Sequence, residues 1–308
     1  MIQTIASVGL PVDETLRIQK NRLEPKEGSN GKRISIVTGI HGDELEGQYI
    51  CFETMRRLKE HPEHLKGTVD LYPAMNPLGI DSITRGVPAF DLDMNRLFPG
   101  SKDGDMLEYL AYRMVEDLTG SDVCVDIHAS NIYLREIPQV RINERHEKEL
   151  TPLAKKLNVD FIWVHSSSTM LEVTLAYSLN SRNTPTLVVE TGVGMRITKA
   201  YCDQLTDGLF CLMKELGIWE GETAVPREPI VSRDGKVCFL NASTSGIFVP
   251  GAKHWMNLEK GDLVGRIVDP MRGEVLDEIF SPVRGVLFTL REYPVVDEGS
   301  LVARILEQ

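Results

Sequence analysis

The sequence predicts an α/β fold followed by a small C-terminal all-β domain, and three observations support this division. Strand-like and helix-like segments alternate through residues 1–222, which is the pattern of an α/β domain. The stretch 220–229 is polar and contains two prolines, as linkers between domains commonly do. From Ile230 onward, short β-rich runs are separated by Gly and Pro. We therefore predict one domain at residues 1–222 and another at residues 223–308.

Five strands and four helices are expected in the first domain. The strands are short apolar runs, several of them rich in β-branched residues, which suit a buried sheet. In chain order they are Ile34–Ile40, Thr68–Tyr72, Val123–Ile127, Phe161–Val164 and Thr186–Glu190. The longer segments that alternate with them predict helices at Glu44–His61, Asp105–Leu118, Glu144–Leu157 and Lys199–Leu216.

The C-terminal domain is expected to be a small β-sandwich or barrel, because it contains six short strand-like runs. These runs are Lys236–Leu240, Gly246–Val249, Leu263–Val268, Gly273–Ile279, Val286–Leu290 and Leu301–Ile305. Exposed strand edges can pair with another chain, so the sequence is compatible with a homo-oligomer.

Composition excludes several classes of protein. Hydrophobic content is 42% and charged content is 26%, as in ordinary globular proteins. The net charge of −11 gives no electrostatic support for a nucleic-acid partner. The five cysteines include no C-x-x-C pair, which argues against a disulfide scaffold or cysteine-bound zinc. We see no signal peptide and no apolar run long enough for a bilayer, and therefore expect a cytoplasmic protein without membrane contact.

Two histidines and a glutamate stand at the ends of predicted strands. His41 ends the first predicted strand region, Glu44 comes three residues later, and His128 follows the third strand. The carboxyl ends of strands in open α/β sheets meet in one crevice, and two His with one carboxylate form an open catalytic zinc site. We therefore expect one Zn²⁺ per chain and a hydrolytic reaction. Asp43 and Glu46 remain alternative carboxylate ligands.

Two further carboxylates are placed to support such a metal. Asp126 lies two residues before His128 and hence on the same strand face, where it could orient the imidazole or bind nearby backbone. Glu190 closes an apolar strand before a glycine-containing loop. It could take a proton from metal-activated water and pass it to a leaving amine, or simply pair with a helix N-terminus or an Arg.

A turn-rich segment between the ligand-bearing segments contains Arg85, Asn95 and Arg96. Arg is suited to bidentate binding of a carboxylate, and Asn supplies a neutral donor. This pattern indicates a site for an anionic substrate, with an exposed polar loop as the alternative.

These residues fall in an ordered series of motifs along the chain. The motifs are Gly39-Ile40-His41-Gly42-Asp43-Glu44, Asn76-Pro77, Asp93-Met94-Asn95-Arg96-Leu97-Phe98-Pro99, Asp126-Ile127-His128 and Val189-Glu190-Thr191-Gly192. The series resembles the succinylglutamate desuccinylase/aspartoacylase family of the zinc-carboxypeptidase-like clan. The resemblance spans nearly the whole chain, since family members also carry a C-terminal β domain. It implies a zinc-carboxypeptidase-like mixed sheet between helices, with residues 1–222 as the zinc-dependent catalytic domain.

By motif position, the resemblance implies roles for individual residues. His41, Glu44 and His128 would be the zinc ligands, and Glu190 would be the general base and acid. The remaining motif residues would act on the substrate: Asn95 and Arg96 on a carboxylate, and Arg85 on the scissile carbonyl and its oxyanion. Family members select substrates with a further Arg or Tyr, and the candidates that follow the His128 strand are Tyr133, Arg135 and Arg141.

The expected function is that of a zinc-dependent amidohydrolase, a deacylase that cleaves the amide bond of a small anionic N-acyl amino acid or related compound. Two alternatives stay open. A zinc carboxypeptidase acting on peptides would use the same ligands, and a non-catalytic binding protein could keep the same fold. An open groove would favour the carboxypeptidase, whereas a closed cleft would favour the deacylase. A low zinc content would favour the non-catalytic binding protein.

Overall fold

The computed structural model describes residues 1–88, 90–167, 171–233 and 236–308. The helices are α1 (Glu46–Glu60), α2 (Pro77–Ser82), α3 (Met106–Leu118), α4 (Glu147–Ala154), α5 (Leu175–Asn180) and α6 (Lys199–Glu215). The strands are β1 (Ile2–Gly9), β2 (Thr15–Leu23), β3 (Arg33–Thr38), β4 (Thr68–Tyr72), β5 (Val123–Ala129), β6 (Leu134–Asn143), β7 (Phe161–His165), β8 (Thr186–Gly192), β9 (Ile230–Arg233), β10 (Val237–Asn241), β11 (Gly246–Pro250), β12 (Asn257–Leu258), β13 (Leu263–Asp269), β14 (Glu274–Phe280), β15 (Gly285–Arg291), β16 (Val295–Val296) and β17 (Leu301–Glu307).

In the described part of the chain, a mixed sheet of 13 strands forms the centre of the fold. Its main path runs β1-β2-β4-β3-β5-β8-β6-β15-β17-β10, with β12 beside β15, β7 beside β6 and β9 beside β7. Strands β4, β3, β5 and β8 are parallel neighbours, whereas β6 runs antiparallel to β8. Because parallel strands end at the same edge, the segments that follow β3, β5 and β8 meet there.

Helices cover both faces of the parallel part of this sheet. Ile34 and Ile36 of β3 pack in one core with residues of α1 and α6, whereas Val37 packs in a second core with residues of α3 and α5. Side chains alternate between the faces of a strand, so an apolar run such as β3 is buried on both faces. The expected mixed sheet between helices is therefore confirmed.

The helices begin and end close to the predicted positions. At the start of α3, the Asp105 side chain accepts from the backbone N–H groups of Leu107 and Glu108, at 2.9 Å each. The Glu108 side chain accepts from the Asp105 N–H at 3.1 Å, which completes a capping box. Helix α4 is shorter than the predicted segment, because short 3₁₀ turns replace its first and last three residues.

Besides the short strands β9 and β12, two larger parts of the central sheet were not expected from the sequence. The hairpin of β1 and β2 joins the sheet edge through β4. Strand β6 contains Pro138, which cannot donate a ladder hydrogen bond and argues against a strand. The register of β6 against β8 shifts between Glu136 and Gln139, and this irregularity accommodates the proline.

The C-terminal region forms two layers. Strands β15, β17 and β10 continue the central sheet from β6, and β14, β13, β11 and β16 form a separate four-stranded sheet. Phe248 and Ile267 of the small sheet share a core with Leu287 and Ile305 of the large sheet. Each of the six predicted runs overlaps most of one strand, and each strand extends one or two residues beyond its run. The central sheet includes strands from both sides of residue 222. The domain boundary at this residue remains a prediction.

None of the helices formed by the described residues combines the length and the apolar character that a bilayer crossing requires.

Candidate active site

The turn after β3 delivers His41 and Glu44 to the edge of the sheet. The chain leaves the strand at Gly39, which has a φ of 70°, and a Cβ there would lie 2.7 Å from the Gln48 side chain. Glycine is therefore required at this turn. The turn places His41 beyond the strand end and Glu44 just before α1. His128 lies near the end of β5, the parallel neighbour of β3.

These three side chains converge in the interior. Nδ1 of His41 lies 2.7 Å from Oε1 of Glu44, and Nδ1 of His128 lies 2.9 Å from Oε2 of Glu44. The two Nδ1 atoms are 3.2 Å apart. All three residues are buried, with 3–5% of their surface exposed. The ligand atoms of His41, Glu44 and His128 all lie within 4.8 Å of one another.

This donor set fits a small divalent cation. Bonds of about 2.0–2.1 Å in a tetrahedral site place neighbouring donors about 3.3 Å apart, and the distances here are 2.7–3.2 Å. Slight expansion of the triangle would therefore make room for an ion. Two imidazoles and one carboxylate are also the donors that zinc accepts in open sites.

Further carboxylates lie behind both imidazoles. Oδ1 of Asp93 is 3.0 Å from Nε2 of His41. Oδ2 of Asp126 is 3.3 Å from Nε2 of His128, although the two are not aligned as a hydrogen bond. A carboxylate behind a histidine fixes the ring orientation and makes the other nitrogen a better metal ligand. The structure thus places Asp126 where the sequence predicts it, and adds Asp93.

The electrostatics of the cluster favour a cation. Burial would raise the pKa of Glu44, but the neighbouring His128 and His41 outweigh burial and lower this pKa to about 2. Burial would lower the pKa of His128, but Asp126 and Glu44 raise it well above its ordinary value. The surrounding carboxylates thus stabilise positive charge on the imidazoles, a charge that a bound cation could supply in place of the protons.

Glu46 and Asp43, the two alternative carboxylate ligands, do not belong to the group of converging ligand atoms. Oε2 of Glu46 accepts hydrogen bonds from the Thr198 N–H at 2.7 Å and from the Cys202 thiol at 2.9 Å. Glu46 therefore holds the start of α6. Asp43 is buried, but it is not among the residues whose ligand atoms converge with those of His41.

Arg85, Asn95 and Arg96 lie beside the cluster and line a common cavity with it. Nη1 of Arg85 donates to Oε1 of Glu44 at 2.8 Å. Nη1 of Arg96 lies 3.8 Å from Oδ2 of Asp93. Asn95 Oδ1 accepts from the backbone N–H of Leu175, which fixes its amide against α5. The side chains of Arg85 and Arg96 are 42% and 45% exposed, so both can reach a ligand.

Glu190 stands next to the cluster on β8, where it is the register partner of His128 on β5. Opposite residues of parallel neighbours present their side chains to the same face. Burial raises the pKa of Glu190, Arg141 lowers it and Glu136 raises it, with a net increase. Nη1 of Arg141 lies 3.3 Å from Oε1 of Glu190. A carboxylate with a raised pKa beside a polar cavity is suited to proton transfer.

The cavity has a volume of about 890 Å³ and extends beyond the cluster. Of the three substrate-selecting candidates, Tyr133 and Arg141 line it. Arg135 is not among the described residues that line the cavity. Its side chain pairs with Glu292 at 2.9 Å instead. The sequence did not indicate the contributions of Glu136, Arg304, Trp163 and Phe239 to the wall.

Comparison with known proteins identifies the class to which this fold and site belong. The model of the succinylglutamate desuccinylase/aspartoacylase catalytic domain matches residues 30–216. The chain belongs to this family, and the resemblance inferred from the motifs is confirmed.

Individual relatives are distant in sequence. The chain is 24% identical to an N-alpha-acetyl-L-2,4-diaminobutyric acid deacetylase of Halomonas elongata, over 90% of this chain and 82% of that protein. A succinylglutamate desuccinylase/aspartoacylase structure from Rhodobacter sphaeroides is similar with a TM-score of 0.83 and 24% identity, and covers 100% of this chain and 96% of that chain. The product-bound structure of the ectoine utilization protein EutE (DoeB) from Ruegeria pomeroyi is similar with a TM-score of 0.83 and 20% identity. It covers 98% of this chain and 93% of that chain. These structures share the fold.

Proposed function

We propose that the protein is a zinc-dependent amidohydrolase that removes the acyl group from a small anionic N-acyl amino acid or related compound. The observation that carries this proposal is the buried convergence of His41, Glu44 and His128 beside Glu190 in one cavity. Membership of the desuccinylase/aspartoacylase family supports it, and so does the deacetylase activity in the name of the Halomonas elongata relative.

His41, Glu44 and His128 would hold one zinc ion. When bound, zinc supplies a Lewis acid for the acyl carbonyl and lowers the pKa of water toward about 7. Nδ1 of each imidazole would face the ion, since Asp93 and Asp126 lie behind the Nε2 atoms. The same donor set can accept iron, cobalt or manganese.

Glu190 would move the proton. The pKa of Glu190 is raised, and burial is the largest cause. Its carboxylate is therefore a better base than an exposed carboxylate. It would accept a proton from the attacking water and donate it to the nitrogen of the leaving amine. Arg141, 3.3 Å away, keeps the ionised form of Glu190 accessible.

The arginines would recognise the substrate. Arg96 and Asn95 would bind its free carboxylate, for which guanidinium and amide donors are suited. Arg85 would donate to the carbonyl oxygen as negative charge develops there, because part of its side chain is exposed to the cavity.

The cavity favours this proposal over a peptide-cleaving carboxypeptidase. Phe239 and Arg304, both from the C-terminal region, form part of its wall. A volume of about 890 Å³ lies in the range of small-molecule sites. A wall contributed by the C-terminal strands would restrict a long peptide, whereas an N-acyl amino acid needs no open groove.

The test is a comparison of the wild type with Glu190→Gln. We expect the zinc-loaded wild type to release amine from at least one N-acyl amino acid. Glu190→Gln should keep its zinc and lose about 10²–10⁴-fold in kcat, the usual contribution of a general base. Turnover at the wild-type rate in this variant would remove Glu190 from the mechanism. A chain that takes up less than about half an equivalent of zinc would support a non-catalytic binding protein instead.

A further inference from the structure

A second group of potential metal ligands lies on the surface, at the opposite end of α1 from the candidate active site. Among the described residues, the ligand atoms of His61, Glu63 and His64 lie within 4.8 Å of one another. These residues belong to the turn that joins α1 to β4. Helix α1 has 15 residues, which gives a length of about 22 Å at about 1.5 Å per residue. The group is therefore separate from the candidate metal centre.

The backbone of this turn is held in one conformation. The His61 N–H donates to the Arg57 carbonyl at 3.3 Å and so ends α1. Pro62 then begins a 3₁₀ turn that ends at His64, a position where its fixed φ is favourable and its missing N–H costs nothing. The His64 N–H donates back to the His61 carbonyl at 3.2 Å. The ligand side chains are therefore attached to a short, preformed segment.

The geometry of the turn brings its two imidazoles to one side. Side chains three residues apart eclipse one another in a 3₁₀ turn, and the ring centroids of His61 and His64 are 5.9 Å apart. Oε1 of Glu63 lies 3.4 Å from Nδ1 of His61 and 3.6 Å from Nε2 of His64. Both distances exceed the roughly 2.7–3.2 Å of an N–H···O hydrogen bond. They are instead near the separation of neighbouring donors in a tetrahedral zinc site, about 3.3 Å.

The surroundings of the turn restrain one imidazole and leave the group accessible. The His64 ring packs edge-on against Trp219, with centroids 5.4 Å apart, and the His64 carbonyl accepts from the Glu220 N–H at 2.9 Å. The side chains of His61 and Glu63 are 61% exposed, and that of His64 is 43% exposed. An ion can therefore enter from solvent, and water can complete its coordination, as in other sites with three protein ligands.

The local charges also favour a cation. The pKa of Glu63 is lowered, first by a hydrogen bond from its own backbone N–H and further by the neighbouring His64, so this carboxylate is ionised at neutral pH. Lys66, two residues after His64, pairs with Glu220 at 3.3 Å, which offsets its positive charge. The whole chain carries a net charge of −11, which attracts cations to its surface.

We propose that His61, Glu63 and His64 form a peripheral site for a divalent cation of the zinc class. Two imidazoles and one carboxylate are donors that zinc accepts, and copper and nickel also suit imidazole. The site is weaker than the buried centre, because its exposed side chains lose conformational freedom when they bind an ion. The inference goes beyond the proposed function and does not need it, since none of the described residues that line the cavity comes from this turn. It predicts a second equivalent of zinc per chain.

The test titrates Zn²⁺ into the metal-free full chain and follows binding by calorimetry. We expect one tight and one weaker class of site, each of one equivalent. His61→Ala should lower the affinity of the weaker class by more than about tenfold, because loss of a ligand costs at least as much as loss of an outer partner. Glu63→Gln should weaken the same class, since an amide lacks the charge of the carboxylate. Neither variant should change the tight class.

The matched control is His146→Ala, which removes another partly exposed histidine. Among the described residues, His146 belongs to no group of converging ligand atoms, so both classes should stay unchanged. Anomalous diffraction at the zinc edge locates the weaker class. Crystals of the wild type soaked in Zn²⁺ should show a peak between His61 and His64, and crystals of His61→Ala should not.

Two results would overturn the peripheral site: a weaker class that keeps its affinity in both His61→Ala and Glu63→Gln, or a titration that ends at one equivalent and is abolished by His128→Ala. Failure of the proposed function is distinguishable, because that function depends on the tight class. A wild type that binds a single equivalent, which His61→Ala removes and His128→Ala does not, supports the peripheral site and overturns the zinc-dependent amidohydrolase.

Discussion

The Nδ1 atoms of His41 and His128 lie 3.2 Å apart, and each contacts a different oxygen of Glu44. The donor atoms of three residues that can bind a metal therefore face one point. A metal ion placed there would replace the protons that the imidazoles otherwise hold against the carboxylate. The relationship between the two histidines is therefore the geometric basis for the proposed metal centre.

Loss of one histidine should weaken metal binding severely. His128→Ala removes one of the three proposed ligands, and we expect zinc affinity to fall by more than the roughly 10–100-fold that loss of an outer partner costs. Competition with a chromophoric chelator measures this affinity. The control is His64→Ala, because His64 belongs to an exposed group with His61 and Glu63 that could also hold zinc. Equal affinity in His128→Ala and the wild type would place the tight site elsewhere.

Asp126 should strengthen the metal site without binding the ion. In Asp126→Asn the carboxylate behind His128 is lost, so we expect zinc affinity to fall about 10–100-fold. The matched control is Asp122→Asn, since Asp122 precedes the same strand but pairs with Lys32 at 2.7 Å. The chelator competition used for His128 applies here too. An identical change in both variants would show a general effect on folding rather than an effect on His128.

Glu136 should make stability depend on pH. Burial would raise its pKa, but Arg141 and Arg304 outweigh burial and lower it below the ordinary value of 4.5. The unfolded chain then binds more protons than the folded one at acidic pH, so stability is present above the ordinary pKa and is lost as pH falls through the folded pKa. Urea unfolding of the metal-free chain at several pH values measures this dependence.

The variant Glu136→Gln should remove that part of the dependence. We expect the free energy of unfolding to fall by about 1–3 kcal/mol at neutral pH, because two partly buried arginines lose a hydrogen-bonded carboxylate. The slope between about pH 5 and pH 3 should become flatter. Glu278→Gln, on the exposed pair with Arg266, should change stability by less than about 1 kcal/mol. An unchanged slope in Glu136→Gln would show that Glu136, held by Arg141 and Arg304, does not cause this pH dependence.

Gly192 should tolerate no side chain. It has a φ of 62°, and a Cβ there would lie 1.8 Å from Oε1 of the buried Glu46. Gly261 also has a positive φ, of 94°, but a Cβ there would meet open space. We expect about 1–2 kcal/mol of destabilisation from the backbone in both alanine variants. Gly192→Ala should lose about 1–3 kcal/mol more from overpacking. Similar unfolding midpoints in thermal denaturation would show that Glu46 can move aside.

The candidate metal centre was predictable because its signals are local. His41 and Glu44 lie within four residues of each other, and His128 stands with Asp126 at the end of an apolar strand. In contrast, the contact between Glu136 and Arg304 joins positions 168 residues apart. No local pattern connects such residues, because their proximity depends on β15 pairing with β6 and β17.

The missed strands have physical explanations of the same kind. In β2, the inward positions Leu16 and Ile18 are followed by Lys20, which breaks the apolar alternation of a half-buried strand. Lys20 is nevertheless 3% exposed, because it forms ion pairs with Asp117 at 2.7 Å and with Asp70 at 3.3 Å. A buried charge is acceptable only with such partners, and these come from distant parts of the chain.

The proposed chemistry is tested most directly by amine release from a panel of N-acyl amino acids, before and after removal of the metal with a chelator. We predict release by the zinc-loaded chain, loss of release in the stripped chain, and recovery when one equivalent of zinc is restored. Amine release that continues unchanged in the stripped chain, or no release from the zinc-loaded chain with any member of the panel, would contradict a zinc-dependent deacylase.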